Sequence, residues 1–196
     1  MLATQSPYKK ALFSRLNIAF VDVAAHIDES PKPNEAAPAL ARRLAEEKAQ
    51  KVYSLHTSTS TESPLIVIGA DQVAACNDRL ISKPNTHDRA LSDLLAASGK
   101  TMTFYTAVSV LSPDKPTQHI LDETKVHFRD LTTEEIDQYL AKETPYDCAG
   151  AFKAEGLGIS LFKSIESQDP TALVGLPLIQ LSHCLRGLGL DLYAET

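Results

Sequence analysis

Apolar residues recur at helical spacing through residues 34–53, where Leu40, Ala41, Leu44, Ala45, Ala49 and Val52 form one stripe. Asn34 is a candidate cap for this helix, and Pro38 fits only near a first turn. Lys48 falls in the middle of the stripe. The pattern then changes: residues 65–70 are continuously apolar between Pro64 and Asp71, as in a strand buried on both faces. Thr86 caps a second predicted helix over 86–98, with Ala90, Leu91, Leu94 and Leu95 inward and Gly99 as its stop. Residues 101–112 and 117–129 alternate and are rich in Thr, Val, Tyr and Phe, which predicts a hairpin of two long strands around Pro113-Asp114-Lys115. Thr132 and Glu135 have capping-box spacing and open a third helix. A glycine-rich strand region is expected over 149–163, and a last helix from Pro177 to near Gly187 or Gly189. Near the start, a short apolar segment leads to a helix beginning at about Pro7. Mixed helices and strands around a central hairpin predict an α/β fold.

Composition narrows the class. At 196 residues and 43% hydrophobic, the chain can bury a sizeable core, and no break in composition divides it into separate domains. One domain over residues 1–196 is the expectation. The polar stretch Ser58–Pro64 reads as a loop too short to link folding units. No apolar run is long enough to span a membrane, and the amino-terminal residues do not form a secretory signal. Cys76, Cys148 and Cys184 are odd in number and far apart, so they read as reduced thiols of a cytoplasmic protein. With a net charge of −6 and scattered lysines, a nucleic-acid-binding face is not expected. An acidic chain binds a small polyphosphate only where cations converge locally or a metal ion intervenes.

That condition selects the candidates. Asp71 follows the apolar strand, where a fixed carboxylate can hold a divalent cation or take a proton from water; a turn-initiating aspartate is the plainer alternative. Lys48 either lays its stem along the core to reach water or aims a cation at a phosphate. Lys83 precedes Pro84, which fixes the chain just after it. Ser6, Pro7, Tyr8, Lys9 and Lys10 suit an anion cradle at a helix start, and equally an ordinary N-cap followed by proline. Asp28-Glu29 precedes the Ser30-Pro31-Lys32-Pro33 turn and becomes a metal site if the fold brings it to Asp71. Gly99-Lys100-Thr101 lacks the first glycine of a phosphate-binding loop, since residue 94 is leucine; Gly156-Leu157-Gly158 lacks the third glycine of a dinucleotide fingerprint. Ser160 has no nucleophile-elbow context, and the six histidines show no ligand spacing.

Taken in order, these segments resemble the Maf family of nucleoside triphosphate pyrophosphatases. The pieces are Leu2–Pro7, Asp28-Glu29, Leu44–Ala49, Ile68–Val73, Lys83-Pro84, Cys148–Gly156 and Val174–Leu178. The resemblance implies a mixed sheet with flanking helices, two lobes around a deep cleft, and hydrolysis between the α and β phosphates with Mg²⁺ or Mn²⁺. It implies Asp71 as proton acceptor, Glu29 and Asp71 at the metal, and Lys48 and Lys83 at the phosphates. Ser6, Lys9 and Lys10 would line the triphosphate end. A homodimer is compatible with it.

Within the family, the chain is similar to the branch acting on 7-methyl-GTP rather than on dTTP and UTP. Asp71-Gln72, Glu155 and Asp147-Cys148-Ala149-Gly150 carry that similarity, and Tyr8 stands where the 7-methyl-GTP branch often has tryptophan. Methylation at N7 places a positive charge on guanine. The Tyr8 ring would attract it by about 0.5–2 kcal/mol, and a Glu155 carboxylate would accept from guanine N1–H and the 2-amino group. Gln72 would contact the base or orient Glu155. Lys9 and Lys10 replace two arginines usual in the family, keeping charge and losing bidentate geometry. The alternatives are a broader house-cleaning activity on dTTP or UTP, and a nucleotide sensor without turnover linked to septum formation.

Overall fold

A computed structural model of the protein describes residues 1–56, 65–77 and 79–194. The polar stretch 58–64 lies outside the described residues. Strands β1 (Leu2–Ala3), β2 (Val67–Cys76), β3 (Arg79–Ile81), β4 (Thr101–Ser112), β5 (Lys115–Phe128) and β6 (Phe162–Glu166) alternate with helices α1 (Pro7–Ser14), α2 (Ala37–His56), α3 (His87–Ala97), α4 (Thr133–Glu143) and α5 (Leu178–Gly187). The strands form one mixed sheet ordered β1-β2-β4-β5-β6, with β3 also paired to β2. β1 runs parallel to β2 (Leu2 opposite Ile68), whereas β3 on β2 and β6 on β5 are antiparallel. The mixed α/β class and flanking helices are therefore as expected. Among the described residues, no helix is long and apolar enough to cross a membrane.

The chain divides into two compact units. The first comprises residues 1–72, 106–122 and 169–196, and its core joins Leu2, Leu12 and Phe13 to Ile68, Ala70, Val108, Val110, Leu176, Leu181 and Leu185. The second comprises 73–105 and 123–168 and is built on aromatic rings. Phe152 meets Phe104, Phe128 and Phe162 edge to face, with ring centroids 5.4, 5.7 and 4.8 Å away, an arrangement the ring quadrupole favours.

Local chemistry accounts for most element boundaries. Ser6 caps α1 with Pro7 at its first position, Thr86 caps α3, and Thr132 and Glu135 make both bonds of a capping box at α4. Three boundaries depart from the sequence reading. Helix α2 starts at Ala37 rather than at Asn34, because Asn34 lies at φ 58° in a turn closed by Glu35 N–H to Lys32 C=O. Strand β2 does not end at Ala70: apolar Val73, Ala74 and Ala75 continue it to Cys76, so Asp71 is a mid-strand residue rather than a strand terminus. The expected strand over 149–163 is mostly 3-10 turns, Ala149–Ala151 and Leu157–Leu161, and only Phe162–Glu166 is extended. Gly150 at φ 79° and Ala151 at φ 60° turn the chain out of the β region.

Candidate active site

A carboxylate in the interior of a strand needs a partner, and the site begins with how Asp71 finds one. Side chains alternate along β2. Gly69 faces α2 so closely that a Cβ there would lie 2.2 Å from the Ala45 carbonyl oxygen. That approach brings helix and strand together where Asp71, next on the same face, meets Lys48. Lys48 Nζ donates to Asp71 Oδ1 at 2.6 Å and pairs with Glu29 Oε1 at 2.7 Å. The lysine does not run out to water: its side chain is 13% exposed and that of Asp71 10%, whereas Glu29 is 60% exposed. Burial disfavours the Lys48 ammonium, but the charge and hydrogen bond of Asp71, then of Glu29, outweigh it and raise its pKa above the ordinary lysine value. Lys48 is therefore a permanent cation near neutral pH.

Gln72 points to the opposite face. Its amide nitrogen donates to Thr106 Oγ1 (2.9 Å) and to the carbonyls of Ala172 (2.9 Å) and Leu173 (3.0 Å), while Thr106 Oγ1 itself donates to Ala172 C=O. These acceptors fix which end of the amide is nitrogen. On the same face, Lys9 is buried on α1 and donates from Nζ to the carbonyl of Ala70 at 2.8 Å, one residue before Asp71. Ser6 accepts from Lys9 N–H as the cap of α1, Lys10 pairs with Asp22 at 3.1 Å, and Tyr8 is half-buried beside them. Asp28 accepts from Ser30 N–H, which holds its carboxyl below its ordinary pKa.

Lys83 and Glu155 belong to the second unit, and both side chains are exposed. Lys83 precedes the buried Pro84, and the next residue, Asn85, donates its N–H to the Tyr146 carbonyl. Glu155 lies in the turn between the two 3-10 segments, after Lys153, whose Nζ donates to the carbonyl of Glu143.

The structure thus joins Glu29, Lys48 and Asp71 by direct contact. Sequence reasoning missed Gly69, whose signal was a glycine inside an otherwise β-branched run, a mark of close backbone approach. It also missed Thr106, a buried hydroxyl within a strand whose only sequence signal is its β propensity.

Among the described residues, no three His, Cys, Asp or Glu side chains form a metal-ligand cluster. Asp71 and Glu29 nevertheless fit Mg²⁺ or Mn²⁺ of the kind held by one or two carboxylates, with water and phosphate oxygens completing the shell. Two carboxylates on one ammonium leave a net negative charge.

Sequence comparison gives the family. The chain belongs to the Maf family: the model described as Maf-like protein matches residues 1–188. It is 47% identical over 192 residues to the 7-methyl-GTP pyrophosphatase of Xanthomonas axonopodis pv. citri (strain 306), covering 98% of this chain and 97% of that one. It is 45% identical to the protein of the same name from Nitrosococcus oceani, covering 96% and 92%. The Colwellia psychrerythraea protein of that name is 40% identical, covering 100% and 95%. A solved nucleoside-triphosphatase, a dITP/XTP pyrophosphatase from Mycobacterium abscessus, is 15% identical with a TM-score of 0.43, covering 96% of this chain and 94% of that one.

Proposed function

We propose that the protein hydrolyses 7-methyl-GTP to 7-methyl-GMP and diphosphate, clearing a modified nucleotide from the pool. The observation that carries this reading is the contact of Asp71 and Glu29 with one buried lysine, in a chain whose near full-length relatives are named for that reaction. Asp71 is the proton acceptor for the attacking water: held rigidly by β2, it is oriented by Lys48 through Oδ1, and among the described residues nothing donates to Oδ2. Water adds to the α phosphorus, the bond to the bridging oxygen breaks, and diphosphate leaves with that oxygen. Asp71 and Glu29 would hold the divalent cation, which supplies charge neutralisation at the phosphates. Lys48 stays protonated throughout and holds both carboxylates in place by direct contact. Lys9 and Lys10 at the start of α1, with the Ser6 cap, and Lys83 supply further contacts to the triphosphate. Tyr8, Gln72 and Glu155 discriminate the base, Tyr8 by stacking on the cationic ring and Glu155 by accepting its N–H groups.

The test is pyrophosphate release from 7-methyl-GTP, GTP, dTTP and UTP with Mg²⁺ or Mn²⁺, for the wild type and for Asp71→Asn. The expected result is preference for 7-methyl-GTP and loss of turnover in D71N with nucleotide binding largely retained. Equal turnover of dTTP would remove the specificity argument, and undiminished turnover in D71N would remove Asp71 from the chemistry.

A further inference from the structure

Glu29 reaches Lys48 from a loop that has little regular structure of its own. Its flanks, His26 and Asn34, sit at positive φ, 46° and 58°, and Glu29 itself is largely exposed. An ion pair whose carboxylate is 60% exposed does little to hold a loop in place against its conformational entropy. Something else must fix it, and Arg43 on α2 makes the required contacts. Its guanidinium forks onto Glu35, with Nε to Oε1 at 2.7 Å and Nη2 to Oε2 at 2.8 Å. Nη2 also donates to the carbonyl of Ser30, the residue after Glu29, at 3.0 Å. Nη1 donates to Glu47 one helical turn onward, at 3.1 Å. Glu35 in turn accepts from Lys32 N–H at 2.9 Å. The Arg43 and Glu35 side chains are only 15% and 10% exposed. The fork is planar and bidentate, the geometry in which an arginine–carboxylate pair is most specific.

We propose that Arg43 is a positioning residue: through Glu35 and the Ser30 carbonyl it clamps the 28–35 loop onto α2, so that the Glu29 carboxylate lies against Lys48. Arg43 is five residues before Lys48 on the same helix, so the loop is referenced to the element that carries the site's lysine. The inference rests on the role assigned to Glu29 under the proposed function. It goes beyond that reading by placing control of the carboxylate in a side chain to which the proposed function gives no contact with substrate or metal.

The test combines a mutant cycle with hydrogen exchange on the full chain without nucleotide or metal. In Arg43→Ala, amides of residues 28–35 are expected to exchange about 10-fold faster or more, while residues 44–52 of α2 keep their protection. Unchanged exchange over 28–35 overturns the clamp; so does equal loss of protection along α2, which marks a general helix effect. With 7-methyl-GTP and Mg²⁺, R43A is expected to lower turnover or raise the Mg²⁺ requirement by about 10- to 100-fold, as loss of a residue orienting a metal ligand does. Arg43→Lys, which keeps charge without the fork, should fall between R43A and wild type. In Glu29→Gln the same R43A change should add nothing, because both act through one carboxylate. A full multiplicative effect in that background overturns the proposal. If E29Q alone turns over like the wild type, the role given to Glu29 has failed, and the exchange arm by itself decides whether Arg43 holds the loop.

Discussion

Replacing Lys48 by Met isolates the charge at the centre of the site. Methionine keeps most of the stem and removes the ammonium, leaving Asp71 with a side chain 10% exposed and no cation. Glu29, 60% exposed, returns to water at little cost. A unit pair about 4 Å apart at an effective dielectric of about 20 attracts by about 4 kcal/mol, partly offset by the desolvation of both ions. Removing one member of a fully buried pair costs about 3–5 kcal/mol; with the residual exposure of this one, about 2–3 kcal/mol is expected. In a chain of this size that is a fall in Tm of roughly 4–12 °C. Denaturant unfolding of K48M, D71N and the double variant near neutral pH measures the coupling, expected at about 1–3 kcal/mol. Stability of K48M within about 0.5 kcal/mol of the wild type, or strictly additive losses, would refute the reasoning.

Further outcomes follow from the same contacts. Gly69→Ala places a Cβ 2.2 Å from the Ala45 carbonyl oxygen; it should cost about 3 kcal/mol by denaturant unfolding and depress turnover by moving Lys48 away from Asp71. Tyr8→Leu should reduce kcat/KM for 7-methyl-GTP by roughly 2- to 30-fold, from about 0.5–2 kcal/mol of lost stacking, with a smaller effect on GTP, whose base is uncharged. Arg43, then the Lys32 N–H, holds Glu35 at about 2, below its ordinary 4.5. Its stabilising contribution is present above 4.5 and lost as pH falls towards 2, so protection of the 28–35 amides should persist through mildly acidic pH. Lys48 behaves oppositely: its pKa is raised, so the contribution holds below the ordinary 10.5 and fades only as pH climbs past the folded value.

The elements readable from sequence were those set by neighbours in the chain. Thr86 and the Thr132/Glu135 box mark their helices because a cap satisfies the amides two or three residues onward. Pro38 forced the first turn of α2 to lie near it, though Asn34 was spent on a turn instead. The end of β2 was misplaced because a charged residue in an apolar run looks like a boundary. Its acceptability inside the strand depends on Lys48, 23 residues earlier in the chain, and no local pattern announces that pairing. The 149–163 region failed for a different reason: its apolar and glycine residues suit a strand, but positive φ at Gly150 and Ala151 turns the chain beside the Phe152 ring cluster. Lys48 stood out as a cation on an apolar stripe, yet its two carboxylate partners needed the fold. Arg43 gave no signal at all, since an arginine on the polar side of a helix is ordinary.

Hydrolysis of 7-methyl-GTP in ¹⁸O-labelled water, with both products analysed by mass, bears most directly on the proposed chemistry. One label in 7-methyl-GMP and none in diphosphate is the expected result, because in the proposed reaction water adds at the α phosphorus. Label in diphosphate, or orthophosphate as the released product, would contradict it.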